Sequence, residues 1–215
     1  MTLDQSIKTL MNLGWYLDTS LFMDFIDRNI RIGFDTAEAH DSHTLLHVTG
    51  SSKASIRTFV PVISNGKRFD FELTKNISLL RFIQYSNKIS YFYSELTKAE
   101  VVRALRKTYP QKQISEIPDW WQAFCFLLSD YRKIEMDYQI EQELSDLALN
   151  FPIRKNVQDY LHLIISKKKG LAFVTSDKLD NQISDLQERY YPHIYYWPEI
   201  KDNIPLDEVF KQLPK

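Results

Sequence analysis

The sequence predicts an α/β sandwich on a mainly parallel sheet. Three observations carry this. Short apolar, β-prone runs recur along the chain, helical periodicities separate them, and two of the runs (WYLDTS at 15–20 and FVTSDK at 173–178) stop at Thr, Ser and Asp. Strands that alternate with helices favour parallel pairing, because a parallel connection needs a crossover.

The elements follow in order. GWYLD at 14–18 reads as a short buried strand. A helix is expected over about 20–30, with Leu21, Phe22, Phe25 and Ile26 on one apolar face. The period then changes to two. SIRTFVPVIS and KRFDFEL flank Asn65-Gly66, a strong hairpin signal because both positions tolerate positive φ. Residues of about 43–75 are therefore expected to form a small antiparallel insertion in a single 1–215 domain. Helical spacing returns at about 77–86, Ile89 to Tyr93 reads as a second core strand, and a helix is expected over about 97–108, ending before Pro110. Further helices are expected over about 119–129, 138–149 and 156–169, with a strand near 131–136. Lys167, Lys168 and Lys169 complement the dipole of the last of these, and Gly170 suits its cap. LAFVT at 171–175 is a buried strand, and His193 to Trp197 a final one.

Composition sets outer bounds. The chain has 215 residues, 44% hydrophobic and 26% charged, with a formal charge of -1, so no global charge marks it for nucleic acid. One cysteine, Cys125, excludes an internal disulfide framework. It lies in the apolar run 124–128, where it reads as a buried small hydrophobe. No apolar run approaches the roughly 20 residues a membrane span needs, and the N-terminus lacks the continuous apolar region of a signal peptide, so a cytoplasmic setting is expected.

In parallel sheets ligands gather where the strands end, and four carboxylates are expected at that edge: Asp18, Glu100, Asp159 and Asp177. Each has a plainer role as a helix cap or first-turn acid; Asn156 to Asp159, for instance, resembles a capping box. Gathered together, they would repel one another and raise their pKa values unless a cation neutralises them. Mg²⁺ takes oxygen ligands and keeps waters, so a few carboxylates suffice. Arg103 and Lys107, at i+3 and i+7 from Glu100, and Lys155, four residues before Asp159, add cations suited to phosphate; helix salt bridging is the plainer account of each.

The ordered pieces WYLDTS, YFYSELTKAEVVRAL, VQDYLHLI and LAFVTSDK span 15–178 and resemble the PIN-domain family of metal-dependent nucleases. That resemblance implies a three-layer α/β/α sandwich and an endoribonuclease acting on RNA, with Asp18, Glu100, Asp159 and Asp177 as metal-binding and catalytic acids for Mg²⁺ or Mn²⁺. Ser20 and Thr175 match positions that steady the metal shell. Glu95 is expected at a strand end and not as a ligand. Many members of the family are VapC-type toxins, commonly homodimeric and paired with an antitoxin; the β insertion departs from those compact toxins. The competing class is a non-catalytic module that binds RNA or protein, its acids serving only as caps.

Two further groups remain. His40, His43 and His47 have a spacing that could hold zinc but read as a loop entering a strand, and His162 reads as a partly buried helix histidine that could approach the acids. Trp120, Trp121, Phe124 and Phe126 crowd one helix, and at that spacing they read as core or a dimer face before a base-stacking platform.

Overall fold

Every residue of the run after Gly14 is buried, and the run pairs on both sides, as a central strand of a covered sheet should. The computed structural model describes residues 3–23, 59–72, 77–108, 115–128, 131–135, 139–153 and 156–204. Its elements begin with α1 (Leu3–Met11), β1 (Trp15–Leu17), β2 (Phe59–Ser64), β3 (Lys67–Glu72), α2 (Ile77–Tyr85), β4 (Tyr91–Tyr93), α3 (Glu95–Thr108) and α4 (Ile117–Leu127). They continue with β5 (Tyr131–Lys133), α5 (Ile140–Asn150), α6 (Val157–Lys168), β6 (Ala172–Thr175), a short turn over Leu179–Asn181, α7 (Ile183–Arg189), β7 (Ile194–Tyr196) and α8 (Trp197–Ile200). Residues 19–23 are also helical.

Packing divides the described residues into two units. Of the described residues, those of 3–22, 88–101 and 131–204 belong to the first, and residue 23 with those of 59–87 and 102–128 to the second.

The first unit holds a five-stranded sheet of order β5-β4-β1-β6-β7. Every pairing in it is parallel, with Trp15 opposite both Tyr91 and Ala172, and Phe173 opposite Ile194. All five carboxyl ends therefore lie along one edge. The strands after β1 run outward through β4 to β5, whereas β6 returns to the other side of β1 and leads outward to β7. The edge between β1 and β6 is thus a topological switch point, where connections diverge and leave a crevice. On one sheet face Tyr16, Phe173 and Ile194 join a core with Leu147, Tyr160, Leu163, Ile164 and Leu186. On the other, Trp15 lies 5.7 Å from Tyr91 and 6.3 Å from Trp197 between ring centroids, and its indole N–H donates to the Leu10 carbonyl at 2.8 Å. Each such buried ring or branched chain contributes about 1.5–3 kcal/mol relative to exposure. Helix α6 ends as its sequence suggested. Gly170 takes φ +64° and its N–H reaches the Lys167 carbonyl at 3.0 Å, closing the last turn.

The second unit contains the hairpin. Strands β2 and β3 pair antiparallel from Phe59 opposite Glu72 to Ser64 opposite Lys67, around a turn with φ 49° at Asn65 and 73° at Gly66. Phe71 of β3 packs 5.9 Å from Trp120 and 6.1 Å from Phe124, and those two rings stack at 5.4 Å. The aromatics of α4 are thus core, apart from Phe126, which is 56% exposed.

Several sequence expectations are adjusted. Helix α3 starts two residues early because Ser94 and Thr97 exchange backbone-to-hydroxyl bonds of 3.4 Å across its first turn. Asn156 makes no side-chain cap bond to the helix, whereas Asp159 does reach back to Asn156, so half of the expected capping box is present. Cys125 is half-buried. Of the expected insertion, residues 43–58 and 73–75 lie outside the described residues, as do His40, His43, His47 and Lys155. Among the described residues no helix is long and apolar enough to cross a membrane.

Candidate active site

Strand β1 ends one residue before Asp18, and the chain turns at once into the helix at 19–23, with the Leu21 N–H on the Asp18 carbonyl at 3.1 Å. The Asp18 side chain is fully buried. A bare carboxylate there would be very costly, and three donors meet it. The Thr19 N–H reaches Oδ1 at 2.8 Å, and the hydroxyls of Ser20 and Thr175 reach Oδ2 at 2.6 and 2.7 Å. Thr175 closes β6, so this last bond joins the two strand ends at the switch point. LDTS and VTSD thus serve one site.

The network extends along β6. Each hydroxyl spends its single hydrogen on Asp18 and so can only accept from elsewhere. Thr175 Oγ1 accepts the Asp177 N–H and Ser20 Oγ accepts the Ser176 N–H, both at 2.9 Å. The half-buried Asp177 takes the Leu179 N–H on Oδ1 at 2.6 Å. It therefore caps the turn that follows, as its plainer reading held. In that turn Leu179, Asp180 and Asn181 all have positive φ, of 48°, 57° and 64°, a conformation that costs about 1–2 kcal/mol per non-glycine residue. The Tyr160 hydroxyl braces it, lying 3.3 Å from the Leu179 carbonyl and 3.2 Å from an Asp180 oxygen.

Glu100 approaches from α3. Its Oε2 accepts from the Thr19 hydroxyl at 2.5 Å and from His162 Nε2 at 2.9 Å. His162 is fully buried, and its Nδ1 lies 2.6 Å from the Tyr16 hydroxyl. Burial pushes the Tyr16 phenol far above its ordinary pKa, with the charges of Asp18 and Glu100 adding to the rise, so the ring keeps its proton.

Asp159, in the first turn of α6, is half-buried. Burial first, then the charges of Asp18 and Asp177, push its pKa from 3.8 to about 7; Asn156 and His162 offset part of the rise. These three acids therefore share one electrostatic field.

The structure thus joins the side chains of Asp18, Ser20 and Thr175 by direct hydrogen bonds, ties Asp177 to Thr175 through its backbone N–H while its carboxylate caps the next turn, brings Glu100 to them through Thr19 and His162, and couples Asp159 by charge. Glu95 stays apart, paired with Lys133 at 3.0 Å. Arg103 and Lys107 are exposed on α3. Thr19 and His162 were not picked out from the sequence as site residues. Their only advance signals were the position of Thr19 next to Asp18 and the i+3 spacing of His162 from Asp159.

The donor chemistry fits a hard divalent cation, since the acids are oxygen donors whose mutual repulsion such an ion would relieve. Among the described residues, no group of three or more His, Cys, Asp or Glu side chains stands at metal-holding spacing. The fit is one of charge and donor type, with no chelate drawn in. In comparisons with known proteins, the chain matches no family model, no curated protein and no solved structure.

Proposed function

We propose that this chain is a PIN-like endoribonuclease dependent on Mg²⁺ or Mn²⁺, built as a three-layer α/β/α sandwich. The observation that carries the reading is the half-buried Asp159 at the β1/β6 edge, where burial first, and then the charges of Asp18 and Asp177, hold its carboxyl up at about 7. Carboxylates so arranged bind a divalent cation in exchange for a proton. Asp18, Glu100, Asp159 and Asp177 would hold the ion. Bound there, it would lower the pKa of a coordinated water and neutralise charge on an attacked phosphodiester. The chain's own part is preorganisation: Thr19, Ser20 and Thr175 fix the Asp18 oxygens, and Thr19 and His162 fix Oε2 of Glu100. The exposed Arg103 and Lys107 on α3 suit a phosphate backbone. An antitoxin partner and a homodimer belong to the VapC-type version of this reading.

The test is incubation of labelled single-stranded and structured RNAs with the full chain, with and without Mn²⁺. Cleavage that needs Mn²⁺ and stops with EDTA is expected; equal cleavage in excess EDTA overturns the reading. The Asp177 carboxylate's bond to the Leu179 N–H favours a second reading, a non-catalytic module for RNA or protein with its acids as caps, for which Mn²⁺ would leave the melting temperature unchanged.

A further inference from the structure

We infer that His162, braced from behind by Tyr16, is a positioning residue that fixes the Glu100 carboxylate for cation binding. This rests on the metal-dependent reading above.

Hydrogen-bond direction assigns each group in this chain its role. A carboxylate only accepts, so the 2.9 Å contact between His162 Nε2 and Glu100 Oε2 requires the hydrogen on Nε2. In the neutral ring Nδ1 is then an acceptor, and its partner at 2.6 Å is the Tyr16 hydroxyl. Tyr16 has one hydrogen to give, and giving it to His162 makes its oxygen an acceptor. The hydroxyls of Ser94 and Thr97, at 2.8 and 3.1 Å, supply the matching donors. The chain thus runs one way, from Ser94 and Thr97 through Tyr16 and His162 to Glu100. Tyr16, Ser94, Thr97 and His162 are all buried, so water is a poor substitute for any of these partners.

Packing alone does not call for this arrangement. The residues come from three segments, with Tyr16 and His162 separated by 146 positions. Together they aim one N–H at one oxygen of a half-buried acid. Partners behind metal-binding groups set affinity by holding the ligand's orientation, and their removal typically costs about 10–100-fold.

The experiment titrates Mn²⁺ alone into the full chain by calorimetry, on wild type, Asp18→Asn, His162→Ala, His162→Gln and Tyr16→Phe, with a melting curve for each. Nitrogen NMR of the wild-type imidazole reads its tautomer. Three results are expected: the Nε2–H tautomer, a loss of about 10–100-fold in Mn²⁺ affinity for folded His162→Ala, and recovery to within about threefold in His162→Gln, whose amide restores an N–H donor. Tyr16→Phe should keep the Nε2–H tautomer, because Glu100 still accepts that hydrogen, and should lose part of the Mn²⁺ affinity. An Nδ1–H tautomer in wild type, or a folded His162→Ala or His162→Gln that departs from these affinities while Asp18→Asn abolishes binding, overturns the positioning role. If His162→Ala does not fold, His162→Gln and the tautomer decide. Wild-type Mn²⁺ affinity surviving in Asp18→Asn, or no binding by wild type, would instead overturn the metal-dependent reading itself.

Discussion

Asp18 and Asp119 stand in comparable places, each at the start of a helix, and the two units treat them in opposite ways. Asp119, in the first turn of α4, takes Lys67 Nζ and Asn65 Nδ2, each at 2.7 Å. The Lys67 contact draws its carboxyl below the ordinary range. That pair faces solvent, with Lys67 44% exposed, and its charges cancel. Asp18 is buried and met by hydroxyls and an amide. Those dipoles solvate the carboxylate without removing its net charge, and Asp159 and Tyr16 both register that charge. A paired surface acid is finished as an interaction. A buried acid held by neutral donors keeps a field that can still act on a ligand.

The largest test of this contrast is catalytic. Asp18→Asn or Asp177→Asn should lower Mn²⁺-dependent RNA cleavage by at least about 10²–10³-fold, on the scale of removing a preorganised electrostatic group, while circular dichroism shows a folded chain. Full activity in either variant would remove the distinction between the two aspartates. Next comes metal linkage. Mn²⁺ at about 100 times its dissociation constant should stabilise the wild type by about 2.7 kcal/mol, read as a rise in melting temperature that Asp18→Asn lacks.

Thr175→Val removes one of the donors to Asp18 with little change of shape. It should cost about 1.5–3 kcal/mol in urea unfolding, the range for a hydrogen bond to a charged group. A smaller effect concerns pH. The folded-state pKa of Asp159, about 7, lies above its ordinary 3.8, so the folded chain holds a proton that the unfolded chain has released. This group's contribution therefore makes stability fall as pH rises between about 4 and about 7, and leaves it level above. Chemical-shift titration of the Asp159 carboxyl reads the midpoint directly, and added Mn²⁺ should move it down. A midpoint near 4 without metal would mean that the acids do not share a field. The smallest effect belongs to the second unit. Lys67→Ala should change stability by no more than about 1 kcal/mol, as exposed pairs do, and leave cleavage unaltered.

Much of the site could be read from local pattern. Asp18, Thr175 and Asp177 follow short apolar runs, and a parallel sheet sends such run-ends to one edge. Asn65-Gly66 marked the hairpin because its turn requires positive φ at both residues. The reading weakened where the deciding partner was distant. His162 lies in the apolar run LHLII and reads as a partly buried helix histidine, whereas it is fully buried. Its partners Tyr16 and Glu100 are remote in the chain, and periodicity carries no trace of them. Ser94 extended α3 backward through a reciprocal bond with Thr97 that the apolar spacing of the helix does not register.

By itself, then, the sequence determined the alternation of elements, the hairpin and the acids at the strand ends. Those features depend on side-chain period and turn chemistry within a few residues. Only the tertiary structure decided which hydroxyls meet Asp18, that His162 bridges Tyr16 to Glu100, and that Asp159 shares the field of Asp18 and Asp177. Parallel pairing joins segments far apart in the chain, and the direction of a hydrogen bond or the size of a pKa shift depends on distances that exist only after that pairing.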